Sequence, residues 1–324
     1  MPQHFMRTAD GRPLLLAVVG QTATGKSSLA LSLAAHLGAE IISCDSTAVY
    51  RGFDIGTDKV PPSGRRGVPH HLIDVAEPTE VYTAARYGQD AAGIARGVTA
   101  RQRLPIVVGG TGLYYRALTR GLFPGPGRDP TIRARLTRVA RGRGVEKLHQ
   151  LLACRDPDSA ERIQSRDEKR LIRALEVYML TGRTLTEHFA ATRSPIADYT
   201  VLTVGLRLPG DALRMRISDR VERQFDRGLV DEVRALLTKG VTSEAGPFGG
   251  LVYRQVLEYL GGLRDLEATR GLIIRENQRY ARRQLIWFQK EPNLHWLGTP
   301  GEHPETRIAV TRLLDTVVAV PGVR

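Results

Sequence analysis

The sequence is poor in cysteine and in long apolar runs, and each of these shortages excludes a class of protein. Two cysteines in 324 residues, Cys44 and Cys154, cannot form a disulfide framework, and the chain has no CxxC pair. The apolar run near the N-terminus spans only residues 14–19, whereas a membrane helix needs about 20 residues. We therefore expect a reduced, cytoplasmic protein without a signal peptide or a membrane segment.

Lysine is scarce, but arginine is abundant. Of 47 basic residues six are lysine and 41 are arginine, and 34 acidic residues leave a net charge of +13. Residues 128–173 are the most basic stretch, with 13 positive and seven negative charges. This excess favours a polyanionic partner such as a nucleic acid. A solvated helical face is the alternative for the basic stretch, and a GC-rich genome is the alternative for the arginine bias.

A phosphate-binding loop follows the first apolar run. Residues 20–27 read GQTATGKS, which matches GxxxxGK(S/T) between a predicted strand and a predicted helix. Its glycines let backbone amides face an anion at a helix N-terminus, Lys26 neutralises a phosphate, and Ser27 is a candidate ligand of Mg²⁺. The predicted diphosphate-binding residues are Gly20, Gln21, Thr22, Ala23, Thr24, Gly25, Lys26 and Ser27. The motif does not identify the ligand, because small kinases and NTPases share it.

Strand-like and helix-like patterns alternate along most of the chain, which is typical of βαβ units and a parallel sheet. Between residues 124 and 195 the sequence is arginine-rich and helical in pattern, without a strand. We predict an α/β fold with a P-loop NTPase-like core at 1–128 and 196–324 and a helical, basic insertion at 129–195. The strands are expected at residues 14–19, 40–44, 71–75, 104–108 and 199–208, and the main helices of the core at 27–37, 213–227, 230–237 and 272–289.

A second motif begins at Asp45, at the carboxyl end of the second predicted strand. Residues 45–57 read DSTAVYRGFDIGT. In a parallel sheet this edge is where ligands bind. Besides a role in binding a ligand at this edge, Asp45 taken alone has two alternative interpretations. It is either a helix cap or a ligand of a magnesium-bound water.

The two motifs together resemble the tRNA dimethylallyltransferases. Residues 109–114, which read GGTGLY, and Pro69 with His70 and His71 fit the same pattern, as do Arg216 and Arg220. The similarity runs from about residue 14 to residue 296. Three positions differ: Gln21 stands where proline is common, Val252 stands where a glycine before tyrosine is usual, and Ile286 stands where threonine is common.

The resemblance implies a reaction. A dimethylallyl group moves from dimethylallyl diphosphate to N6 of the adenosine immediately 3′ of the anticodon in tRNA, and diphosphate leaves. Asp45 is the implied general base, and Thr22 and Thr111 would orient the reacting groups. Lys26, Mg²⁺ on Ser27 and an arginine, either Arg216 or Arg220, would stabilise the departing diphosphate.

The resemblance also implies a partner, the anticodon stem-loop of tRNA, and no membrane or protein partner; a monomer is the default expectation. The adenine must leave its stack to react, and the helical, basic insertion at 129–195 would be the tRNA-binding unit that holds the stem. The predicted tRNA-binding residues are Asp45, Ser46, Thr47, Ala48, Tyr50, Arg51, Thr111, Arg133, Asp167, Arg170, Arg173, Tyr253, Arg254 and Arg283.

Two other functions compete with this one. A small-molecule kinase would turn over ATP, but it would not need an arginine-rich insertion. A non-catalytic, nucleotide-dependent RNA-binding module would explain the charge, but it would leave Asp45 without a role.

Overall fold

The computed structural model describes residues 7–123 and 125–318 and divides the chain into two units. The core unit comprises Met1–Thr119 and Pro195–Arg324, and the insertion unit comprises Arg120–Ser194. The sequence places the insertion at 129–195. In the structure it begins at Arg120 and ends at Ser194, and within it Arg173 donates a 2.8 Å hydrogen bond to the Pro126 carbonyl.

Six strands form one parallel sheet in the order β3-β2-β4-β1-β5-β6, so the predicted α/β class is confirmed. The strands are β1 (Leu14–Gly20), β2 (Glu40–Cys44), β3 (His70–His71), β4 (Pro105–Gly109), β5 (Thr200–Leu206) and β6 (Leu294–Leu297).

Thirteen α-helices lie within the described residues. They are α1 (Lys26–Leu37), α2 (Ala84–Ala100), α3 (Gly112–Thr119), α4 (Pro130–Arg143), α5 (Val145–Ala153), α6 (Pro157–Arg162), α7 (Glu168–Thr181), α8 (Leu185–Ala191), α9 (Gly210–Asp226), α10 (Leu229–Thr238), α11 (Tyr253–Leu260), α12 (Leu266–Phe288) and α13 (Pro304–Val317).

The central strand β1 is apolar throughout because helices cover both faces of the sheet. Leu15, Ala17 and Val19 pack into one hydrophobic cluster, and the alternating residues Leu16 and Val18 pack into the other. Since all strands are parallel, the carboxyl ends of β1, β2 and β4 meet at one edge. The phosphate-binding loop and the Asp45 segment therefore start from the same edge.

Two strand predictions need correction. The strand expected at 71–75 is only His70–His71, because Leu72 and Asp74 adopt left-handed backbone angles, with φ of 59° and 57°. Strand β6, at the far edge of the sheet, was not predicted.

No helix among the described residues combines the length and the apolar character that crossing a membrane requires.

The insertion unit has its own core, formed by helices α4–α8. Glu176, in α7 of this unit, has a fully buried side chain. Burial opposes its ionisation, but hydrogen bonds from Arg133, Arg173 and the Asp129 amide prevail and lower the pKa of Glu176 to about 2. This buried carboxylate ties α4 to α7.

Candidate functional site

A cavity of about 290 Å³ lies at the carboxyl edge of the sheet, within the core unit. Its wall brings together residues that are far apart in the sequence. They include Thr22, Lys26, Ser27, Asp45, Ser46, Thr47, Ala48, Asp58, Arg220, Val252, Asn277, Tyr280 and Gln284. The phosphate-binding loop and Asp45 therefore face one space, as the sequence predicted.

The phosphate-binding loop owes its shape to two glycines in the left-handed region. Gly20 has φ +122°, and a Cβ there would lie 2.3 Å from the Leu206 carbonyl oxygen. Gly25, with φ +87°, precedes α1 as its N-cap. The buried Thr24 hydroxyl donates a 2.8 Å hydrogen bond to the Gln21 carbonyl and closes the turn. The loop thus ends at a helix N-terminus, where backbone amides favour an anion.

Lys26 lies in this loop with its ammonium group 2.5 Å from the Gln21 carbonyl oxygen. Burial lowers the pKa of Lys26 to about 7, and the positive charge of Arg220 adds to this effect, whereas the charge of Asp45 opposes it. An anion that binds in the cavity would therefore stabilise the charged ammonium form of Lys26.

Asp45 presents one carboxylate oxygen to the turn that follows it. Its Oδ1 accepts hydrogen bonds from the amides of Thr47 and Ala48, at 2.8 and 3.1 Å. Its Oδ2 makes no hydrogen bond to any residue of the described chain. One oxygen fixes the side chain and the other is available to a ligand, which is the arrangement that a general base requires.

Helix α12 supplies site residues to which the sequence analysis assigned no role. Gln284 is buried; it accepts a 2.7 Å hydrogen bond from the Thr22 amide and donates a 3.0 Å bond to the Gly110 carbonyl. It thereby joins the phosphate-binding loop to the loop after β4. One turn earlier, burial and the charge of Asp45 raise the pKa of Tyr280 to about 12. Tyr280 and Gln284 are four residues apart, a spacing that places them on one face of a helix and that was visible in the sequence.

The two candidate arginines on α9 have different surroundings. Arg220 lines the cavity, where it donates a hydrogen bond to the Thr22 hydroxyl and pairs with Asp58. Arg216 is not among the lining residues; it donates to the Ala23 carbonyl at 2.7 Å and pairs with Glu302 at 2.5 Å. The geometry therefore brings Arg220, and not Arg216, to the cavity.

Several predicted tRNA contacts have partners within the protein. Tyr253 is fully buried between Phe53 and Phe248 and donates a 2.7 Å hydrogen bond to Glu232, so the expectation of an RNA contact there is corrected. Tyr50 is also buried; its hydroxyl accepts from the Tyr82 amide.

Polar partners hold other members of the predicted set. Arg133 and Arg173 bind Glu176, and Asp167 caps α7 through the Arg170 amide. The remaining predicted contacts are Thr111, which accepts from the Ser46 amide, and the exposed arginines Arg51, Arg170, Arg254 and Arg283.

The structure explains why glycine is usual at position 252. Val252 has φ +76° and ψ −59°, a conformation that a β-branched residue adopts only under strain of about 1–3 kcal/mol. It is buried on the cavity wall before α11. Ile286 is exposed on α12, outside the cavity lining.

The sequence of this chain is similar to a known family and to proteins of that family. The family model described as IPP transferase matches residues 48–291. The tRNA dimethylallyltransferase of Solibacter usitatus is 45% identical over 294 residues, which cover 90% of this chain and 95% of that protein. The tRNA dimethylallyltransferase of Geobacter sulfurreducens is 42% identical, with 90% and 94% covered.

Solved structures agree with these similarities. The full-length tRNA isopentenylpyrophosphate transferase from Bacillus halodurans matches with a TM-score of 0.69 at 34% identity, covering 93% of this chain and 95% of that one. A eukaryotic dimethylallyltransferase described as acting on tRNA matches with a TM-score of 0.73 at 25% identity, covering 93% and 77%.

Proposed function

This chain belongs to the tRNA dimethylallyltransferase family, and on that premise we propose the following reaction. The protein transfers a dimethylallyl group from dimethylallyl diphosphate to N6 of the adenosine immediately 3′ of the anticodon, and it releases diphosphate. One observation carries the proposal: an anion-binding loop and the unoccupied Oδ2 of Asp45 share one cavity. We also propose that the enzyme acts in the cytoplasm, because its substrate is a tRNA.

The loop and Arg220 bind the diphosphate of the donor. Backbone amides at the start of α1 donate hydrogen bonds to phosphate oxygens, and Lys26 and Arg220 neutralise the negative charge of the diphosphate. As the allylic C–O bond breaks, negative charge grows on the departing diphosphate. These groups are in place before the reaction, so they stabilise that charge without reorganising.

Ser27 is the residue that would hold Mg²⁺. Its hydroxyl lies exposed on the cavity wall and makes no hydrogen bond within the described part of the chain, which fits a ligand of a hard cation. When bound, Mg²⁺ supplies Lewis-acid stabilisation of the diphosphate oxygens. Among the described residues no three or more His, Cys, Asp or Glu are grouped so that they could hold a metal ion, and diphosphate oxygens and water would complete the coordination of a bound Mg²⁺.

Asp45 accepts the proton that the amine loses. The lone pair of the adenine amine is delocalised into the ring, so it is a weak nucleophile. As the N6–C bond forms and the C–O bond breaks, one N6 proton passes to Oδ2 of Asp45. Thr22, whose hydroxyl is bound by Arg220, and Thr111, beside the Asp45 segment, orient the reactants.

The insertion unit binds the tRNA stem through helix α4. Arg135, Arg138 and Arg141 recur every three residues along α4, and Arg143 follows; all four are exposed and form no ion pair within the described residues. Such a row of free guanidinium groups suits the phosphates of a folded RNA.

Digestion of the RNA product tests the function. The protein is incubated with unmodified tRNA, dimethylallyl diphosphate and Mg²⁺, and the nucleosides are then released and weighed. A dimethylallylated adenosine, mapped to the position 3′ of the anticodon, is expected. ATP consumption without that product would identify a kinase, and RNA binding with neither would identify a binding module.

A further inference from the structure

A carboxylate that the mechanism does not use lies against the donor site. Asp58, in the segment after β2, has φ +51° and lines the cavity. Two side chains of α9 and that of its C-cap converge on it: Arg220 pairs with Oδ2, Gln224 donates to Oδ2 at 3.3 Å, and the C-cap Arg227 donates to Oδ1 at 3.2 Å. Their spacing of four and three residues places them on one face of the helix.

Asp58 contacts Arg220 at the position that controls the orientation of its guanidinium group. The ion pair involves Nε of Arg220, while a terminal nitrogen donates to the Thr22 hydroxyl of the phosphate-binding loop. With Nε fixed by a carboxylate, the terminal nitrogens are held beside the loop. A planar guanidinium held in this way is prepared for two-pronged binding of phosphate oxygens.

Docking of the segment itself does not depend on Asp58. Glu232 on α10 accepts hydrogen bonds from the amides of Asp54, Ile55 and Gly56, at 3.0, 2.7 and 3.4 Å. Lys59 is buried and donates to the Tyr50 carbonyl and to two carboxylates. Because these contacts hold the backbone, the Asp58 carboxylate is available for a separate task.

We infer that Asp58 is a positioning residue that orients Arg220 toward the diphosphate of the donor, an inference that rests on the function proposed above. It acts through Arg220 and does not touch the substrate. Replacing its charge with a neutral amide keeps an oxygen beside Nε of Arg220 but removes the ion pair. The loss of this half-buried ion pair corresponds to about tenfold in kcat/KM for the donor.

A double-mutant cycle tests the inference. Asp58→Asn and Asp58→Ala are each made alone and together with Arg220→Gln, and KM and kcat are measured separately for dimethylallyl diphosphate and for tRNA. We expect each Asp58 variant to raise the KM for the donor and lower kcat/KM by about tenfold, without changing the KM for tRNA. In the Arg220→Gln background neither variant has a further effect, because the residue through which Asp58 acts is already gone.

Asp219→Asn is the matched control. Asp219 is exposed on the same helix, next to Arg220, and its replacement by Asn changes the charge in the same way as Asp58→Asn. It is expected to behave as the wild type. Effects that add in the double variants, tighter donor binding by Asp58→Asn, or loss of folding in both Asp58 variants would each overturn the inference. A wild-type protein without transferase activity would instead refute the proposed function.

Discussion

The charge of Lys26 depends on what occupies the cavity. In the free protein, burial and the neighbouring Arg220 hold the pKa of this lysine near 7. A bound diphosphate brings negative charge that favours the ammonium form and raises the pKa. Donor binding is therefore coupled to proton uptake above pH 7 and independent of Lys26 titration well below it.

We predict that donor affinity falls by up to about tenfold per pH unit above pH 7 because Lys26 must first be protonated. Calorimetric titration with dimethylallyl diphosphate at pH 8, in two buffers of different ionisation enthalpy, measures the uptake. Lys26→Arg stays charged and serves as the control, so the difference between the two proteins isolates Lys26 from the titration of the ligand. Equal uptake in both would contradict the prediction.

Asp45 gives a second prediction about a single residue. Asp45→Asn retains an Oδ1 acceptor for the Thr47 and Ala48 amides, so the turn and the donor site are preserved. The neutral amide cannot take the N6 proton, and turnover is expected to fall by about 10²–10⁴. Single-turnover transfer rates and donor binding, measured on the same preparation, separate the two effects. Unchanged turnover would remove Asp45 from the role of base.

At the scale of a secondary-structure element, we predict that helix α4 contributes to tRNA binding. Replacing Arg135, Arg138 and Arg141 with alanine leaves the buried contact between Arg133 and Glu176 intact. The slope of log affinity for tRNA against log salt concentration should decrease by about one for each arginine that no longer binds a phosphate. Filter binding between low and high salt measures it, with Arg312→Ala on α13 as the control. An unchanged slope would place the RNA elsewhere.

Helices, central strands and the phosphate-binding loop were predictable because their signals are local. Strand β1 is buried on both faces and reads as an uninterrupted apolar run. Contacts over long sequence distances were not predictable: Tyr253 was predicted to contact RNA, and in the structure its hydroxyl donates to Glu232. Gln284 likewise acquires its role only when α12 reaches the loops after β1 and β4.

In the whole molecule, chemistry and charge lie in different units. The cavity is built entirely from the core unit, whereas the most basic stretch of the sequence, residues 128–173, belongs to the insertion unit. The net charge of +13 draws a polyanion toward the protein before specific contacts form. A core of this type alone would suit many phosphate ligands; the insertion favours RNA as the acceptor.

The most direct test counts the products of a single reaction. The protein is given dimethylallyl diphosphate, Mg²⁺ and an unmodified anticodon stem-loop RNA, and diphosphate release is measured against the adenosine that gains the five-carbon group. One diphosphate for each modified adenosine, with no requirement for ATP, is the predicted result. Consumption of a nucleoside triphosphate while the RNA stays unmodified would contradict the account.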